Sequence, residues 1–258
     1  MSLEEISLVG LSGLSAFGVT FFNRFRNRMS RDKEPSKHSR NRILKFIAFN
    51  LILNAVAYIG FILTFLNVFT KPGIVITTPI ILVSALFLIS SAITFYGCGI
   101  YITAVILETL TPPGFRKLPY LSRQFKVTNM FHGPISHTIM FSGYIIAFSL
   151  LCVLDLMTGP SISSIPRLFL ISGALLGLSA GYAQISSGNA PFQTITGVLS
   201  VIALVILDQV EGWKFTQSPI GIYMIGFFIT FLFLNVYTIV FRWKGKNIWS
   251  RSGYREYN

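Results

Sequence analysis

Two histidines, one glutamate and a scatter of carboxamides are the residues of this chain best suited to chemistry. His132 and His137 stand five apart in the run FHGPISH, and Glu108 closes an apolar stretch before them. By ligand type, His132, His137 and Glu108 form a candidate metal site, since imidazole and carboxylate both coordinate zinc-like ions. Gly133 and Pro134 read as a turn into a helix, with Pro134 near its first position. Across such a turn the two imidazoles need not share a face. A haem would want an axial histidine deep in a bundle together with a second ligand. The chain has three histidines, and His38 falls in a polar loop, so no cofactor is expected.

A wider polar set accompanies them. Asn50 and Asn54 lie four apart with Tyr58 continuing their face; Gln193 and Thr196 open one apolar stretch, and Asn235 and Thr238 approach the end of another. Polar groups within a membrane normally face the bundle interior or water. Asn50, Asn54, Glu108, His137, Gln193 and Asn235 are therefore candidate ligand-binding residues of a vestibule for a neutral or weakly polar solute. The competing reading is hydrogen bonding between helices, at about 0.6–2 kcal/mol per contact. Asp155, Arg167 and Asp208 end or begin three other helices, where an ion pair at the membrane surface is expected. Gly10-Leu11-Ser12-Gly13 matches the short G-x-S-G pattern of rhomboid-type intramembrane proteases. Such proteases carry several spans before the serine and a histidine well inside a later helix; here the motif sits in the first apolar stretch, which excludes that reading. No P-loop, paired-carboxylate prenyl motif, histidine-rich desaturase box or redox cysteine pair is present, and no catalytic residue is assigned. The last apolar stretch has no lysine, which excludes a retinal Schiff base there.

The elements that must position these residues follow from composition. The 258 residues are 52% hydrophobic and 12% charged, against about 25% charged in soluble domains, and the mean hydropathy is +0.65. Soluble enzymes, disordered tails and disulfide-stapled modules are excluded. The apolar runs are continuous rather than alternating, which argues against a β-barrel. The expected fold is all-α: a polytopic membrane bundle forming one transmembrane domain over 1–258. Candidate spans are 6–22, 44–69, 79–109, 134–158, 165–186, 191–208 and 218–241, giving seven helices, or six if the glycine- and serine-rich first one lies on the surface.

Charge sets the expected orientation. Eighteen Lys and Arg fall in 23–45, 110–133 and the tail after the last span, against Lys71, Arg167 and Lys214 on the other side. The positive-inside rule then gives N-out/C-in, with 23–43 a basic cytoplasmic loop and 242–258 a short basic tail. The net charge of +12 is thereby explained by topology and by attraction to anionic headgroups on the cytoplasmic face. A nucleic-acid role has no aromatic platform or recognition motif behind it.

Gly173, Gly177 and Gly181 recur at spacing four, so one face of their helix admits a close neighbour. That neighbour is either another helix of the chain or a protein partner in the membrane. Cys98 and Cys152 fall in opposite halves of their spans, too far apart to pair, and read as buried small fillers. The stretch GPISHTIMFSGYIIAF is similar to a histidine-led helix in a loosely defined group of small six-helix membrane proteins; the glycine-rich span that follows departs from that pattern. The expected function is non-enzymatic, a subunit or assembly partner of a larger membrane complex. A small transporter or channel is the alternative, and a membrane enzyme or metal binder using His137, His132 and Glu108 a further one.

Overall fold

A computed structural model describes residues 6–18, 37–71, 73–110, 119–159, 165–187 and 190–242. Among them there is no strand. The helices are α1 (Ile6–Gly18), α2 (Lys37–Val68), α3 (Thr78–Leu110), α4 (Pro119–Met130), α5 (Ser136–Met157), α6 (Pro166–Ser187), α7 (Ala190–Glu211) and α8 (Pro219–Arg242). A π turn, Phe131–Ile135, joins α4 to α5, and a 3₁₀ turn, Phe215–Gln217, precedes α8. Proline opens α4, α6 and α8, where its missing N–H breaks no hydrogen bond. Among the described residues five helices are long and apolar enough to cross a membrane: α3, the α5 stretch, α6, α7 and α8. The apolar helical stretches Ile6–Gly18 and Ala55–Val68 are shorter.

Two close pairs organise the bundle, α6 with α8 and α3 with α5. Glycine makes both possible. A Cβ on Gly173 would lie 1.9 Å from the carbonyl oxygen of Tyr223, and one on Gly177 would lie 2.3 Å from that of Phe227. Gly181 faces Leu234 less tightly. In return, Gly226 of α8 leaves room for the Leu170 carbonyl, and Thr230 Oγ1 donates to Ala174 O at 2.9 Å. On the other pair, Gly97 meets the Met140 backbone and Gly143 meets Thr94. These contacts run inside the chain, so the Gly173–Gly177 face is filled by α8. The matching order of the α6 and α8 contacts shows the two helices to be parallel.

The centre is aromatic. Phe61 of α2, Phe87 of α3, and Tyr144 and Phe148 of α5 interlock, with Phe61 and Phe148 ring centroids 4.6 Å apart edge-to-face, a favoured arrangement for quadrupolar rings. Phe148 also stacks on Tyr223 of α8. Helix α1 enters this core: Leu8, Leu11 and Ser12 are buried, and Ser12 Oγ lies 2.7 Å from Tyr223 Oη. One face of α1 is therefore packed against the bundle, while Ile6, Gly10, Gly13 and Phe17 stay exposed.

Three expectations change. The polar segment before α5 is helical over 119–130, and α2 begins at Lys37 within the stretch read as a basic loop. Hydropathy reports preferred solvent, not backbone conformation, and neither 37–68 nor 119–130 has an internal proline or a cluster of breakers. The third concerns Gly133 and Pro134, which make no turn. Proline lacks the N–H of an i→i−4 bond and its ring presses on the preceding turn. The helix widens into a π turn and continues into α5.

Candidate functional site

Polar side chains collect at both ends of the bundle. One end gathers the α2–α3, α5–α6 and α7–α8 connections, with Lys71 at its centre. Asp155, in the last turn of α5, is fully buried and pairs with Lys71, whose side chain is 12% exposed. Lys71 Nζ also donates to Gly159 O at 2.9 Å and Asp155 O at 3.2 Å. The second carboxylate oxygen of Asp155 accepts the Ser218 hydroxyl. Ser218 Oγ in turn accepts the Gly221 N–H at 2.9 Å, capping α8 ahead of Pro219. The carboxylate thus sits at the positive end of α8, with its charge balanced by one ammonium.

Local backbone chemistry holds this node. Gly159 follows α5 with φ +88°, a left-handed conformation that glycine adopts without a Cβ clash and that commonly ends helices. Beside the node lies an open groove of about 510 Å³, lined by Ile80, Met157, Thr158, Gly159 and Trp213 among others. The expected surface ion pair of Asp155 with Arg167 is not formed: Asp155 is bound to Lys71, and Arg167 is exposed. Arg167 opens α6 beyond the α5–α6 connection, whereas Lys71 reaches the end of α5 from the side. Asp208 takes no part.

The opposite end carries the histidines. His137 Nδ1 lies 2.8 Å from His132 O and 2.9 Å from Gly133 O. Two carbonyl acceptors require Nδ1 to carry the proton, which fixes the tautomer and ring orientation. The π turn brings residues five apart over one another, so His132 and His137 do share a face, with ring centroids 6.0 Å apart. Tyr101 of α3 packs its ring edgewise on both, at 5.2 Å. Side-by-side rings on one helix cannot ligate opposite faces of a haem. Among the described residues no group of three His, Cys, Asp or Glu side chains is placed to hold a metal; the Glu108 side chain lies outside them.

The remaining polar candidates separate. Gln193 is buried and bridges α7 to α5: its Oε1 accepts Ser142 Oγ at 3.3 Å and its Nε2 donates to Thr138 O at 3.4 Å. Asn235 of α8 is fully buried, and neither its Nδ2 nor its Oδ1 has a hydrogen-bond partner among the described residues. Tyr58 is exposed and packs on Phe95 of α3. Asn50 and Asn54 are positions in α2 whose side chains lie outside the described residues. Cys98 and Cys152 are buried free thiols.

Sequence reasoning missed the Lys71–Asp155–Ser218 node. The Ser218-Pro219 pair, a cap followed by a first-turn proline, was the available signal for Ser218. The Ser12–Tyr223 contact, 211 residues apart in the chain, has no local signal. Comparison with protein-family models, curated proteins and solved structures returns no match.

Proposed function

We propose that this chain is a non-enzymatic, multi-pass integral membrane protein that serves as a subunit or assembly partner of a larger membrane complex. In this reading seven helices span, α1 to α3 and α5 to α8, with the N-terminus outside and the Lys71 end outermost. The observation that carries it is how the polar side chains are used. Lys71 and Ser218 both bind Asp155, Gln193 bridges α5 and α7, Ser12 meets Tyr223, and Thr230 bonds across to α6. Each fastens helix to helix, and Ser218, the hydroxyl among them that meets a carboxylate, also caps α8. Meanwhile α3 and α7 turn broad apolar faces outward, including Leu82, Leu86 and Ile89 on α3 and Ile195, Leu199 and Ile202 on α7. Such faces suit lipid tails or partner helices.

Purification of the tagged chain in a mild detergent tests this: a second chain in fixed stoichiometry by native mass spectrometry is expected. A chain that is monodisperse alone, from membranes where it is abundant, counts against it. Cysteine-accessibility labelling at Ser122 should find it cytoplasmic; external labelling would reverse the orientation.

A second reading is favoured by Asn235. A buried amide without partners is unfavourable by about 1–3 kcal/mol, and a polar solute or water passing the end of α8 would satisfy it. On that reading the chain is a small transporter or channel for a neutral solute. Solute flux in vesicles that is lost in Asn235→Leu, with folded yield intact, would select it. Loss of bound metal in both His137→Ala and Glu108→Gln, again with intact folding, would instead select the metal-binding alternative.

A further inference from the structure

Three carboxamides from three helices stand at one level inside the bundle, toward its His137 end. The glycines fix the register. Gly197 of α7 faces Phe231 and Leu232 of α8, and the short connection after Glu211 turns the chain back. Gln193, one turn before Gly197, therefore comes level with Asn235, one turn after Phe231, each on the same face as its neighbour. Gly181 of α6 faces Phe231 and Leu234, and Gln184 follows a turn further along the parallel α6. Gln184, Gln193 and Asn235 are all fully buried. Packed helix axes lie about 8–10 Å apart, a gap that two carboxamides and a bridging water span.

A carboxamide offers two donor hydrogens and an oxygen with two lone pairs. Gln193 uses one of each, donating to Thr138 O at 3.4 Å and accepting from Ser142 Oγ at 3.3 Å. Asn235 uses none: neither Nδ2 nor Oδ1 has a partner among the described residues. Leaving a buried amide unmatched is costly, and internal water, with about three hydrogen bonds, is the usual remedy. The stretches that meet here, 136–154, 168–207 and 215–241, contain no Lys, Arg, Asp or Glu. Such surroundings favour a neutral ligand that both donates and accepts. Phe231, Leu232 and Leu234 pack against Gly197 and Gly181 on the side toward the Lys71 end. That packing closes the site toward the membrane centre and suits water better than a larger solute.

We infer that Gln184, Gln193 and Asn235 enclose an internal site for ordered water that bridges α6, α7 and α8. Resident water satisfies Asn235 without a path through the bundle, so the site rests on neither the transport reading nor the assembly reading. The test uses the full chain in lipid nanodiscs with isotope-labelled Asn and Gln side chains. The Asn235 amide, identified as the signal lost in Asn235→Leu, should show nuclear Overhauser transfer from water and little broadening by an aqueous gadolinium chelate. Gln193→Leu and, separately, Gln184→Leu should weaken that transfer several-fold while the other amide signals stay in place. A folded chain whose Asn235 amide receives no transfer from water overturns the proposal. Unchanged transfer in either Gln variant, with the other signals intact, overturns the three-helix site. Strong broadening by the chelate would show a vestibule open to the aqueous phase, and loss of the water transfer on adding urea or acetamide would show a solute site. Either result overturns resident water and supports the transport reading instead.

Discussion

The Lys71 end and the His137 end of the bundle solve opposite problems. At the first, three connections converge, each with a glycine at positive φ (Gly73, Gly159 and Gly212), and a buried charge pair ties them to α5 and α8. At the second, the polar contacts run from imidazole to carbonyl and from carboxamide to hydroxyl and carbonyl, with no ion pair among the described residues. A buried ion pair is weak evidence of net stability, because desolvation offsets the Coulomb attraction, yet removing one partner is severe. Neutral contacts carry less energy and can be lost singly. The Lys71 end should therefore behave as one unit and the His137 end as separable parts.

The largest test of that contrast is Asp155→Ala. It leaves Lys71 buried without its counter-charge and Ser218 without its acceptor, and should lower stability by about 3–5 kcal/mol, read as a drop in melting temperature in detergent. Combining Asp155→Leu with Lys71→Met should recover most of the loss. If the double change is as damaging as the single one, the node matters for something other than charge balance. Next comes Gly177→Leu, at mid-bundle and belonging to neither end. Its side chain would meet Phe227 O and Thr230 Oγ1 where a Cβ already lies within 2.3 Å of each. A loss of about 1–3 kcal/mol or more is expected, and an unchanged melting profile would mean that the α6 and α8 backbones do not touch at this position.

At the His137 end, Gln193→Leu removes two long hydrogen bonds and should reduce stability by only about 0.6–2 kcal/mol. An effect equal to that of Asp155→Ala would erase the contrast between the ends. The smallest expected effect is at Gly99, where an added Cβ meets nothing within 4 Å. Gly99→Ala should stay within about 0.5 kcal/mol of the parent, while Gly97→Ala, two residues away and 2.7 Å from the Met140 backbone nitrogen, should be clearly destabilising. Equal behaviour of the two would show that α3 turns a different face toward α5.

Most of the helix inventory was legible in the residues themselves. Continuous apolar runs announced α3 and α5 to α8 within a few residues, because a side chain's preference for apolar surroundings is local to the residue. The glycines at spacing four announced a face that some neighbour approaches, since the absent Cβ is also a local fact. The same reasoning was blind to α4 and to the start of α2, whose polar residues read as loop although nothing in them interrupts a helix.

What the residues alone determined is thus the list of apolar helices and the charge asymmetry between the two sets of connections; both depend on single residues summed along the chain. The tertiary structure alone decided who meets whom. It gave Asp155 to Lys71 rather than Arg167, Ser12 to Tyr223, and α8 to the glycine face of α6. It also turned Gly133-Pro134 from an expected turn into a π widening that stacks His132 on His137. Pairings of this kind join residues tens to hundreds of positions apart, and short-range preference carries no term for them; they are set by which backbones pack closely enough to bring the two groups together.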